Sequence, residues 1–120
     1  MRLIIIESPY AADDAATALR NSEYAREAIA DCLRRGEAPF ASHILYAETG
    51  VLDDGDPEQR SLGIEAGLAW GRAAAATAAY VDHGVSPGMR QGILAAEALG
   101  RPVEIRFLYP QDEIAHGSAT

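Results

Sequence analysis

The chain contains no lysine; all ten of its cationic side chains are arginine. A Schiff-base mechanism and a P-loop lysine are therefore both excluded. Cysteine occurs once, at Cys32, so no intramolecular disulfide can form. That fits a reducing compartment, and a cytoplasmic location is expected. Long apolar runs are also missing. Leu3 to Ile6 stops at Glu7, and the alanine-rich stretch Ala73 to Ala79 is no longer than a few residues, so neither reads as a signal peptide or a membrane span. Basic charge is scarce: the formal net charge is −8. A general nucleic-acid binder needs a basic face to displace counterions, so nucleic acid is not an expected partner. A small anion is still allowed, because a few local N–H groups can hold phosphate inside an acidic protein. Three histidines and one cysteine show no zinc spacing. There is no G-x-S-x-G, no Walker motif and no strand–G-x-G-x-x-G–helix unit, so neither a metal nor an organic cofactor is expected.

What remains is a globular composition. The chain has 120 residues, 48% hydrophobic and 23% charged. That suits one domain with a real core, burying roughly two thirds of the surface the unfolded chain exposes.

Leu3-Ile4-Ile5-Ile6 is a continuous, mostly β-branched run, the pattern of a strand buried on both faces of a parallel sheet. Ser8-Pro9-Tyr10 breaks it. From about Asp13 to Arg35 the pattern is helical, with Tyr24, Ala25, Ala28, Ile29, Cys32 and Leu33 on one face. Asp13, Asp14 and Asn21 can each cap its start, and Gly36 suits its end. Pro39 to Ile44 reads as a short second strand. After turn signals at Thr49-Gly50 and Asp54-Gly55, Asp56 reads as a helix cap, Pro57 as the first helical residue and Gln59 as the capping-box partner. The helix should run to about Arg72 and bury Leu62, Ala66, Ala69, Trp70 and Ala73. Its Gly63, Gly67 and Gly71 would let another backbone approach closely. Thr77 to Val81 reads as a third strand. Ser86-Pro87 starts a third helix whose core face is Met89, Ile93, Ala96 and Leu99. Val103 to Leu108 alternates apolar and polar residues, as an edge strand does. The β-α-β-α-β-α-β order predicts a parallel sheet with right-handed crossovers, and a ligand site beyond the strand carboxyl ends where strand order reverses. Residues 1–109 are expected to form one domain and 110–120 a polar tail or intersubunit arm.

Three loops should meet at that edge. Asp82-His83-Gly84-Val85-Ser86-Pro87-Gly88 leads into a helix N-terminus, whose free N–H groups can hold phosphate or carboxylate. Ser86-Pro87 is equally a plain helix cap. His43 is either a general acid/base or donor to a ligand, or a strand-end histidine bonded to a neighbouring loop. Asp82 can bind sugar hydroxyls or cap the following turn. Tyr10 and Tyr46 can stack on a ring or donate to one, or simply pack the rim. Glu65, midway along the second helix, belongs either to a solvated face or to the chemistry, and Arg60 near that helix start is a candidate ligand contact. Asp53, Asp54 and Asp56 cluster, but without the spacing of an EF-hand.

Ser8-Pro9-Tyr10 after the first strand, Ser42-His43 after the second, the Trp70 helix, and Tyr80-Val81-Asp82 leading into Ser86-Pro87-Gly88-Met89 together resemble the superfamily of nucleoside 2-deoxyribosyltransferases and nucleotide N-glycosidases, in particular a short, often phage-associated branch. The resemblance spans about residues 1–108. It implies a flavodoxin-like three-layer sandwich with a four- to five-stranded parallel sheet, homo-oligomers, and cleavage or transfer of the glycosidic bond of a nucleoside or nucleotide. Carried onto this chain, it implies Tyr10 as the active-site tyrosine, Asp82 as a sugar contact, and Ser86 and Gly88 as holders of a 5′-phosphate. Ser8, Pro9, His43, Tyr46, Arg60, Gly84 and Met89 complete the expected binding set. The family's nucleophilic glutamate falls at Gly92. Either another carboxylate (Glu7, Glu65, Asp82 or Glu97) serves, or the chain binds a nucleotide without cleaving it, as a sensor or sponge. Glu97 lies about 7.5 Å of helix rise beyond Gly92 and substitutes poorly. Glu7, at the end of the first strand, is better placed.

Overall fold

The computed structural model describes residues 1–110; the expected tail beyond Pro110 lies outside the described residues. The elements are β1 (Leu3–Glu7), α1 (Ala15–Arg34), β2 (Ala38–Phe40), a π-helical segment (His43–Glu48), α2 (Pro57–Gly71), β3 (Ala76–Tyr80), α3 (Pro87–Ala98) and β4 (Val103–Arg106). All strand pairs are parallel and the order is β2-β1-β3-β4. This is the flavodoxin-like order, in which the chain reverses direction across the sheet between β1 and β3.

The two faces of the sheet differ. Ile4 and Ile6 of β1 and Ala76, Ala78 and Tyr80 of β3 pack with Tyr24, Ala28 and Cys32 of α1 into the buried core. The alternate residues, Ile5 and Glu7, line a cavity beneath α2 and α3. The period-2 alternation of a strand thus splits β1 between a packed face and a hollow one.

Several elements differ from their sequence reading. Asp14 is the cap of α1, its carboxylate accepting from the Thr17 amide at 2.7 Å. Leu33 is exposed rather than on the buried face. The second strand stops at Phe40, and the expected strand end at His43 is instead the first residue of a wide helical turn. Asp56 caps α2 without a side-chain bond, and the Gln59 side chain turns away to accept from the Asp53 amide at 2.8 Å. The expected core face of α2 is largely open to solvent, with Leu62 55% and Trp70 51% exposed; a different face, with Arg60, Gly63, Ile64, Gly67 and Leu68, covers the cavity, and the Trp70 ring stacks on Phe40 of β2 at 5.2 Å. Its glycines admit side chains, not another backbone: Leu52 faces Gly63, Ser42 faces Gly67 and the Arg101 guanidinium faces Gly71. Leu99 is likewise exposed, while Met89 and Ala96 are buried as expected. β4 reverses its expected pattern. Arg106 pairs in register with Tyr80 and so points to the α1 face, where it is 5% exposed, while Ile105 points outward.

Candidate functional site

β1 ends at Glu7 beside Ala79 of β3, at the strand-order reversal. A cavity of about 450 Å³ opens there. It is walled by the β1 end and its loop, the π-helical segment, α2 and the first turns of α3. Ligand cavities in open α/β sheets form at this place, and the volume is within the range of small-molecule sites.

Glu7 forms part of its wall, and its carboxylate presses on α3 at Gly92 so closely that a Cβ there would overlap it. Among the described residues it has no hydrogen-bond or ion-pair partner. Burial pushes its pKa up to about 8, against the pull of the Arg101 charge. Desolvation penalises the charged form, so the carboxyl holds its proton at neutral pH. Ser8 follows, buried, with Oγ 2.9 Å from Nε2 of His43. Burial lowers the His43 pKa to about 4, partly offset by the charges of Glu48 and Asp54, so the imidazole is neutral. The Tyr10 ring meets His43 edge-on at 5.7 Å. Its phenol is raised above its usual range by burial and by Asp54 and Glu48, which keeps it a proton donor.

Ser86 caps α3, Oγ accepting from the Met89 amide at 3.2 Å, and the Ser86 amide meets Met89 Sδ at 3.5 Å. Ser86, Gly88 and Met89 all line the cavity, which brings the start of α3 to its rim. Tyr46 and Arg60 line the opposite side.

The structure therefore brings Glu7, Ser8, Tyr10, His43, Tyr46, Arg60, Ser86, Gly88 and Met89 together. Four candidates stand apart. Pro9 is buried beside the cavity without lining it, and Glu65 sits on the exposed side of α2. Gly84, with φ of 86°, turns the chain into α3 away from the cavity. Asp82 is engaged in holding the fold. Its carboxylate accepts from the Tyr24 hydroxyl at 2.5 Å and from the Leu108 and Tyr109 amides at 2.8 and 3.1 Å. Burial alone would raise its pKa; these donors outweigh burial and hold it below the usual range.

Asp54, Gln91 and Arg101 also line the cavity, and none of the three is a site candidate from the sequence. Asp54 was read only as part of an acidic turn. Arg101 follows α3 and reaches back under α2, donating to Thr77 Oγ1 at 2.9 Å and to the Gly71 carbonyl at 2.7 Å. Its position after Gly100 carries no local signal of this; the slot is set by the Gly71 carbonyl at the end of α2 and by Thr77 of β3, both distant from it in sequence. Among the described residues no group of three or more His, Cys, Asp and Glu is placed to hold a metal ion, and no helix is long and apolar enough to cross a membrane.

The fold has solved counterparts. A 2-deoxyribosyltransferase from the psychrotolerant bacterium Bacillus psychrosaccharolyticus superposes with a TM-score of 0.63 at 19% identity, over 92% of this chain and 75% of that one. At that identity the likeness is one of fold. No curated protein matches in sequence. Residues 2–106 match the family model described as "Domain of unknown function (DUF7768)", and the chain belongs to that family.

Proposed function

We propose that this chain binds a nucleoside or 5′-nucleotide in the cavity and breaks its N-glycosidic bond, as an N-glycosidase or deoxyribosyltransferase-like enzyme. The observation that carries the reading is a half-buried carboxyl, Glu7, seated against Gly92 without a bonding partner among the described residues, in a cavity of about 450 Å³ at the strand-order reversal. The start of α3, with Ser86 and Gly88, suits a phosphate at the rim, where backbone N–H groups and the helix dipole favour an anion. Tyr10 and Tyr46 offer rings to a base or sugar. The deoxyribosyltransferase-like fold supports the same ligand class. A homo-oligomer in the cytoplasm belongs to this reading. The exposed Leu62, Ile64 and Trp70 of α2 supply apolar area for contact between copies.

Gly92 favours a second reading, in which the cavity holds a nucleotide without cleaving it. One experiment separates the two: incubate the protein with a panel of nucleosides and 5′-monophosphates and detect free base by chromatography. Saturable release of one base supports the enzyme. Binding by calorimetry without release supports the non-catalytic sensor or sponge.

A further inference from the structure

Glu7 and His43 reach the same cavity from different elements, one from the end of β1 and the other from the turn after β2. Their surroundings differ in kind. Glu7 meets the bare backbone of α3 at Gly92, with Arg101 as the charge acting on it. His43 is bonded to Ser8, edged by Tyr10, and acted on by Glu48 and Asp54 from its own segment and the loop that follows. Arg60 lines the cavity from α2.

Building on the N-glycosidic reading above, we propose that the cavity is an acid–base site for a single displacement by water: Glu7 gives its proton to the departing base, and His43, directly or through Ser8, takes a proton from the attacking water. The water oxygen bonds to C1′ as the C1′–N bond breaks. The electron pair of that bond stays on the base, which receives the Glu7 proton. The water's proton goes to His43. The site is left with a Glu7 carboxylate and a His43 imidazolium, and transfer of the proton between them through solvent restores it. The products are the free base and a sugar with a new hydroxyl at C1′. The acceptor is water, so the chain is a hydrolase rather than a transferase.

Both protonation states at neutral pH are the ones these roles need. A carboxyl with a pKa near 8 still carries its proton, and an imidazole with a pKa near 4 is free to accept one. Environments that push two titratable groups apart are how a site separates its acid from its base. A covalent route would need the opposite: an ionised carboxylate at C1′ in the resting enzyme.

The test uses the full chain and whichever nucleoside or monophosphate in the panel releases base. Labelled free base is added to detect exchange into substrate, NMR reads the first-formed sugar anomer, and kcat/KM is followed from pH 4 to 9.5. The expected result is no exchange, an inverted anomer, and a plateau that falls away towards about 4 and about 8. Glu7→Gln should lose about 10²- to 10⁴-fold in rate, together with the alkaline limb. His43→Gln should lose the acid limb, and circular dichroism and ligand affinity show that each variant is folded. Label exchange, a retained anomer, or an alkaline limb that survives Glu7→Gln overturns the water-displacement step and leaves the glycosidic reading standing. No release from any panel member overturns both.

Discussion

Arg106 and Glu7 are both ionisable side chains withdrawn from water, with opposite outcomes. Arg106 keeps its charge because Glu37 matches it with two bonds, at 2.7 and 2.8 Å, while Glu104 and the Tyr80 hydroxyl occupy further donors. Removing Arg106 leaves the Glu37 carboxylate buried with the half-exposed Arg2, at 2.8 Å, as its remaining partner. Arg106→Met should therefore cost about 3–5 kcal/mol by urea unfolding, and adding Glu37→Met should recover much of the loss. A double variant no more stable than the single one would mean that the pair, not the stranded charge, is what stabilises the site. Glu7 lacks such a partner and gives up its charge instead. Its folded pKa, about 8, lies above the ordinary 4.5, so the stability it contributes is complete below about 4.5 and is lost as pH rises to about 8. Glu7→Gln should thus be more stable than the parent by a few kcal/mol at pH 8 and similar at pH 4, read as melting temperature across pH. The sequence named Glu7 as a candidate, since it ends a buried strand. It gave no sign of the raised pKa, which depends on Gly92 arriving from a distant helix. Arg106 was misread because alternation alone does not say which phase faces the core; pairing with Tyr80 decides that.

α2 and α3 divide what was legible at the level of elements. Both starts were readable, as Asp56-Pro57 and Ser86-Pro87, because capping and the φ of proline are local properties. The face of α2 was not, because its apolar residues follow no single stripe and the space beneath it is a cavity. The wide turn at His43–Glu48 had no local signal either, though it is what swings His43 to Ser8. The glycines now have distinct meanings. A Cβ at Gly67 would make near-ordinary contact with the Ser42 side chain, at 3.4 Å from Oγ. Gly67→Ala should therefore stabilise the chain by up to about 1 kcal/mol through helix propensity. A Cβ at Gly92 would collide with the Glu7 carboxylate, which must then swing out toward water. Gly92→Ala should lower the pKa of Glu7 and move the alkaline limb of the rate profile to lower pH. An unmoved limb would show that Glu7 can lose this seat without leaving its environment.

At the scale of the molecule, one face of the sheet is packed along its length, while the other is packed under α3 and open under α2. The α1 side buries Tyr24, Ala28 and Cys32 against β1 and β3, whereas α2 buries only Gly71 among its residues. A helix with so little buried apolar surface gains little from tertiary packing, and local opening should be easy there. A ligand filling the cavity would touch Gln59, Arg60, Ile64 and Leu68 of α2 together with Glu7, Ser8 and the start of α3, supplying the missing layer. Ligand binding and the ordering of α2 are then one event. Backbone amides of α2 should exchange with deuterium much faster than those of β3 in the free protein. They should slow when the 5′-monophosphate that binds most tightly is present in excess. At a hundred times its Kd that ligand should add about 2.7 kcal/mol to global stability. The two readouts constrain each other: protection of α2 that exceeds the global gain shows that the helix was opening on its own before binding. If α2 is already as protected as β3 without ligand, the exposed side chains of Leu62 and Trp70 are covered in solution, and a second copy of the chain becomes the first candidate for what covers them.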